Sequence, residues 1–223
     1  MAETVSITTT TQEAILMDGK AKVRQNITAW PELGINYWGI NTNASSTLTI
    51  HFATLCGEIA PSDEDIAHGI LAKERMGPRY ITQDEAFRNG LTNFAVSRNP
   101  FERFKSVYKH LKHPKTVIQQ RTVTKARFDP SWTPEDFLEH IIHTFHTGKI
   151  NKHWRKQVSF IPQHWRLEHI IKLESLSEDW PFDFPAPTIV SNPTVSEDVD
   201  IDEGIIYDLY HEDYLSFGYP YQK

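Results

Sequence analysis

A single cysteine, Cys56, stands in a chain of 223 residues, so no disulfide can form within it and the fold must hold by packing. No apolar run approaches the roughly 20 residues that cross a bilayer. Residues Met1 to Thr11 have neither a basic start nor an apolar core, so no signal peptide is expected. These absences point to a soluble protein in a reducing compartment, with no membrane partner and with bacterial or viral cytoplasm expected ahead of the Golgi. On that reading the N-x-S/T sequons at Asn26 and Asn43 are chance. No G-x-x-x-x-G-K stretch occurs either, which disfavours a P-loop enzyme that hydrolyses ATP or GTP. What is present is ordinary globular material, 39% apolar with 10 glycines and 13 prolines, and it excludes a fibrous or disordered chain. A chain of this size buries roughly 70% of its unfolded surface, enough for a core and a cleft.

Acids outnumber bases, 29 to 23, and the net charge of −6 counts against general nucleic-acid binding. The charges are unevenly spread. Between Arg98 and Phe128 stand nine bases (Arg98, Arg103, Lys105, Lys109, Lys112, Lys115, Arg121, Lys125 and Arg127) and one acid, Glu102. From Glu174 to Lys223 the balance reverses, with twelve acids and Lys223 as the only base. A charge run is by default a solvated face, so the basic run needs a motif before it means anion binding.

Apart from Thr8 to Thr11, no repeat or low-complexity block interrupts the chain, and strand-like and helix-like stretches alternate in the manner of an α/β fold. Residues 1–34 read as an N-terminal arm or hairpin and 35–223 as one domain. Asn36 to Ile40 is a short aromatic and β-branched run. The small polar residues Asn41 to Thr47 follow, then an apolar-rich stretch to Cys56, so the order is strand, loop, helix, although Thr47, Thr49 and Ile50 are weak helix formers. The clearest junction is the strand Asn93 to Ser97, then Arg98, then a helix capped by Asn99 and opened by Pro100. Phe101, Phe104, Tyr108 and Leu111 make the apolar stripe of that helix, and Pro114 stops it. Thr133-Pro134-Glu135-Asp136 opens another helix, striped by Phe137, Leu138, Ile141, Ile142 and Phe145 and ended by Gly148. The connection from Lys115 to Trp132 is long, basic and unpatterned, which in a compact domain marks a functional or disordered segment. His169 to Leu173 predicts a buried strand, Pro181 to Pro193 a loop, and Glu203 to Phe217 a last helix with Gly218 as its C-terminal cap.

A helix N-terminus presents unpaired N–H groups and partial positive charge, so an arginine ending the preceding strand makes a two-part phosphate site. Arg98 stands at that point. Ser106 lies seven residues after Asn99, two turns along the same helix face. On these residues alone, pairing of Arg98 with a carboxylate and simple packing of Ser106 account for them equally well. His140, His143 and His146 spread across about 120° of helix surface. With no cysteine or tight carboxylate pair to complete a site, they and His153 read as a polar face, not a metal centre.

The spelling around Arg98 decides between these accounts. Ser97-Arg-Asn-Pro-Phe-Glu-Arg-Phe-Lys-Ser-Val-Tyr108 resembles the R-x-P-[FW]-x-R-x-x-S-x-Y element with which sulfotransferases bind the 3′-phosphate of 3′-phosphoadenosine 5′-phosphosulfate. Three further segments resemble the carbohydrate-sulfotransferase branch, the family-2 type, in the expected order. Asn151-Lys-His153-Trp154-Arg-Lys-Gln157 is similar to an H-W-x-x-Q element, and Ile171-Lys-Leu-Glu174-Ser-Leu-Ser-Glu-Asp179 to an E-x-L-x-x-D element. Ile206 to Tyr219 is similar to the Y-x-x-D-[FY]-x-x-F-G-Y ending. Together they span Ile35 to Tyr219.

The resemblance implies a P-loop-like three-layer α/β fold with a central parallel β-sheet flanked by helices. It also implies transfer of a sulfuryl group from the nucleotide to a hydroxyl, expected on a carbohydrate, with adenosine 3′,5′-bisphosphate as product. Arg98 and Ser106 carry over as 3′-phosphate ligands. The family's 5′ loop reads P-K-x-G-[SC]-[ST], and the matching residues are Asn41, Thr42, Asn43, Ala44, Ser45 and Ser46, so Thr42 stands where the lysine belongs. Thr42 to Thr47 are the expected 5′ cradle, with Lys73, Arg75 or Arg79 as substitute cations. The acceptor base is expected at His68, with Glu58, Glu64 and Glu74 as alternatives, and His153 and Gln157 are expected to line the acceptor side. The basic loop Lys115 to Arg127 is a candidate acceptor contact. Two other readings remain open: a nucleotide-binding relative impaired in transfer, motivated by Thr42, and a polyanion-binding module without cofactor, which adenosine 3′,5′-bisphosphate would leave unaffected.

Overall fold

A computed structural model of the chain describes residues 26–58, 79–114, 123–188 and 199–221. By internal contacts the chain divides into two compact units. The sheet unit comprises Arg24–Asn99 and Phe160–Pro193, and the helical unit Pro100–Ser159 and Thr194–Lys223.

The sheet unit carries the α/β architecture. Its strands are β1 (Asn26–Trp30), β2 (Ile35–Gly39), β3 (Tyr80–Ile81), β4 (Thr92–Ser97) and β5 (His169–Lys172), in the spatial order β3-β1-β2-β4-β5. The core of the sheet is parallel, as expected, and its β1–β3 edge is antiparallel. β2, β4 and β5 run parallel, as the crossover between β2 and β4 requires, since a connection that carries a helix returns the chain in the same direction. β1 reaches β2 through only the 3-10 turn Pro31–Leu33 and Gly34, so that pair is antiparallel, with Trp30 opposite Ile35. Gly34 holds φ 71° there, a left-handed conformation that glycine adopts without strain.

Among the described residues α1 (Ser45–Leu55) and the single turn α2 (Gln83–Ala86) belong to this unit. Successive strand residues face opposite ways. Tyr37 packs with Phe94 on the α1 side, where Phe52 meets Trp30, Tyr37 and Phe94 edge-on at 5.6, 5.7 and 5.9 Å. Trp38 packs on Phe87 at 5.1 Å and donates its indole N–H to Asn93 Oδ1 at 3.0 Å. Leu48, Phe52 and Ala53 are all buried, so this packing offsets the poor intrinsic propensity of α1.

In the helical unit are α3 (Pro100–Lys112), α4 (Pro134–His146) and α5 (Glu203–Ser216). Phe104 and Tyr108 of α3 lie on Phe137 of α4 at 5.5 and 5.9 Å. Thr133 and Asp136 close the expected capping box at the start of α4, with bonds of 2.9 and 3.2 Å. The connection before α4 contains a helical turn over 123–126, while 115–122 lie outside the described residues. Among the described residues no helix is long and apolar enough to cross a membrane.

Candidate functional site

In the sheet unit the parallel strands β2, β4 and β5 end on one edge, where open α/β sheets place their ligands. The loop leaving β2 is fastened to this edge. Asn43 is fully buried, and its side-chain amide donates to the Val96 carbonyl of β4 at 2.9 Å. On either side of Asn43 the backbone turns left-handed, at Thr42 (φ 71°) and Ala44 (φ 55°). Neither is glycine, and each such residue costs about 1–2 kcal/mol.

Helix α1 starts immediately afterwards. Ala44 offers no side-chain cap, and the first helical bond runs from the Leu48 amide to the Ala44 carbonyl at 3.0 Å. The amides of Ser45, Ser46 and Thr47 precede that bond, at the position where a helix has no internal acceptors and attracts anions. Arg98, half-buried just past β4, donates from Nη1 to the Thr42 carbonyl at 3.4 Å. The structure therefore brings together Arg98 and the expected cradle Thr42, Asn43, Ala44, Ser45, Ser46 and Thr47. Beside β5, Glu174 Oε1 accepts the Asn99 amide at 2.8 Å. A cavity of about 270 Å³ opens there, lined by Glu174, Ser175, Glu178, Pro187 and Thr188 among others.

Residues 25–200, well over half of the chain, match the model of the sulfotransferase family. The chain belongs to that family. No curated protein and no solved structure matches it. In the 5′ loop that the resemblance assigns, Thr42 stands at the expected lysine position and Ala44 at the expected glycine position, and both hold a left-handed backbone. Of the substitute cations, Arg79 is committed elsewhere. It bonds Glu32 and Glu58 and lies 4.2 Å over the Trp30 ring. Glu58, one alternative base, is thereby its partner. His68, Glu64, Glu74, Lys73 and Arg75 lie outside the described residues.

Of the remaining sulfotransferase elements, residues 171–179 lie in the sheet unit, whereas Ser106 and residues 151–157 and 206–219 fall in the helical unit. Ser106 is half-buried on α3. His153 holds its Nδ1 at 2.7 Å from Asn151 Oδ1, which makes Nδ1 the protonated nitrogen. Burial above all, with Lys152, His110 and Arg103 nearby, pushes its pKa down to about 3, so the ring is neutral at physiological pH. Gln157 is fully buried. The main-chain amides of Gln157 and Val158 donate to the two carboxylate oxygens of Asp213 at 2.8 and 2.9 Å.

Sequence reasoning read Asp213 only as the aspartate of the Y-x-x-D ending and gave it no role in the site. Burial raises its pKa to about 6 against the opposing pull of the Val158 and Gln157 amides, Arg103 and Lys156. The signal was available, because Asp213 shares the inward stripe of α5 with Ile206, Leu209 and Tyr210, and a carboxylate is rarely buried unless something pairs it. The basic run is also not all surface: Arg103 is buried and donates to the Arg155 carbonyl at 2.8 Å. His140 packs between Trp132 and Trp154, whereas His143 is exposed. Among the described residues no group of three potential ligands can hold a metal.

Proposed function

We propose that this sulfotransferase uses 3′-phosphoadenosine 5′-phosphosulfate as donor and a carbohydrate hydroxyl as acceptor. The observation that carries the reading is the approach of Arg98 to the Thr42 carbonyl at the uncapped start of α1. Loop amides and a guanidinium there converge where a nucleotide phosphate is held. The residues fit the donor: the amides of Ser45, Ser46 and Thr47 take the 5′ end, and Arg98 takes the 3′-phosphate. Ser106, in the helical unit, enters through the sequence element alone. The donor supplies the sulfuryl group and, in leaving, a bisphosphate.

The chain's task is then to hold the reactants in line, remove the acceptor proton and neutralise the charge that develops on departure. Arg98 and the loop amides do the last. His68 is the proposed base, and His153 is unsuited to that role, because an imidazole with a pKa near 3 takes up a proton poorly at neutral pH. His153 and the segment of Gln157 are proposed for the acceptor side, with Lys125 and Arg127 of the basic loop, both exposed, attracting anionic glycans.

Sulfur-35 donor incubated with a panel of hydroxylated sugars tests the proposal. Labelled acceptor with stoichiometric adenosine 3′,5′-bisphosphate supports it. Nucleotide binding without transfer to any acceptor favours the second reading, an impaired relative, for which Thr42 in the lysine position is the specific observation. No binding of either nucleotide refutes both.

A further inference from the structure

The 5′ loop from Ile40 to Thr47 carries no lysine or arginine, although a phosphosulfate brings negative charge to it. Of the substitute cations, Lys73 and Arg75 lie outside the described residues. Arg79 is engaged by Glu32 and Glu58. Arg98 touches the loop at the residue in the lysine's place, its Nη1 standing 3.4 Å from the Thr42 carbonyl. The loop cannot drift from it, because Asn43 is bonded to Val96, two residues before Arg98. A lysine at position 42 would bring its ammonium from the loop, whereas a guanidinium bonded to the carbonyl of the same residue brings the same sign of charge from β4. Arginine has five N–H donors in a fixed fork, so a bond to a carbonyl and bonds to phosphate oxygens use different hydrogens.

We infer that Arg98 serves both ends of the nucleotide, supplying the positive charge of the 5′ loop in place of the lysine that Thr42 replaces, as well as binding the 3′-phosphate. This rests on the nucleotide-binding reading above. It differs from that reading in one measurable respect: a residue that serves only the 3′-phosphate is indifferent to a ligand lacking one.

Calorimetric titration of the whole protein with adenosine 5′-monophosphate, adenosine 3′-monophosphate and adenosine 3′,5′-bisphosphate reads the two ends separately. Arg98→Ala and Arg98→Gln are expected to weaken the 5′-monophosphate at least tenfold, the usual consequence of losing one charge-assisted bond, as well as weakening the 3′-monophosphate. The double variant Arg98→Ala/Thr42→Lys is expected to regain the 5′-monophosphate and not the 3′-monophosphate, because its cation is back on the loop only. Melting of each variant without ligand shows that it folds.

Undiminished 5′-monophosphate affinity in both Arg98 variants overturns the inference and leaves the nucleotide reading intact. So does a loss that Thr42→Lys does not restore, since Arg98 then acts as a strut for the loop. Failure of the wild type to bind any of the three ligands refutes the nucleotide reading itself.

Discussion

The side-chain amide of Asn43 donates to the main-chain carbonyl of Val96 at 2.9 Å, and this bond ties the loop after β2 to β4. Loss of it leaves a buried carbonyl without its donor. Asn43→Ala is expected to cost about 1–3 kcal/mol of stability, the penalty for an unsatisfied buried group. It should also weaken adenosine 3′,5′-bisphosphate, because the loop loses its fixed position. Denaturant melts and calorimetry check the two effects, and a variant as stable and as tight-binding as wild type contradicts the role assigned to the bond.

Ala44 carries a left-handed backbone at φ 55°. Ala44→Gly is expected to stabilise the protein by about 1 kcal/mol, less the extra entropy glycine has when unfolded. The shift in urea midpoint at unchanged slope measures it. Destabilisation would mean that the loop prefers another conformation.

Asp213 and His153 set opposite pH dependences within the helical unit. The pKa of Asp213 is raised from 3.8 to about 6, so the fold holds the extra proton between these values and its contribution to stability falls as pH rises from about 4 to 6. The pKa of His153 is lowered from 6.5 to about 3, so there the unfolded chain holds the extra proton and stability falls as pH drops below about 6.5. The two effects offset each other in wild type. Asp213→Asn should expose the histidine's acid loss as a steeper decline below pH 6, and His153→Gln should flatten or reverse it. Chemical denaturation at pH 4, 5, 6 and 7 measures both slopes; parallel profiles in all three proteins contradict the assignment.

Helices α3 and α4 were legible almost to the residue, because Asn99-Pro100 and Thr133-Pro134-Glu135-Asp136 are start signals with their own local chemistry and the stripes behind them have the helical period. The sheet was legible only in its parallel part. β1 reads as an arm until β2 is there to pair with it, and β3 is two residues long, too short to carry a period. In the site, Arg98 and the loop could be found by spelling, but the left-handed turns at Thr42 and Ala44 could not, since neither residue type announces positive φ. The ion pairs that occupy Arg79 and the buried carboxylate of Asp213 depend on residues far apart in the chain, with Arg79 joined to Glu32 and Asp213 to Gln157.

The central claim is that the Arg98 edge of the sheet binds a bisphosphorylated adenosine, and thermal unfolding with and without adenosine 3′,5′-bisphosphate tests it without knowledge of the acceptor. At 100 times its dissociation constant the nucleotide is expected to stabilise wild type by about 2.7 kcal/mol, with the rise in melting temperature lost in Arg98→Ala. No shift at saturating nucleotide, or an equal shift in Arg98→Ala, contradicts it.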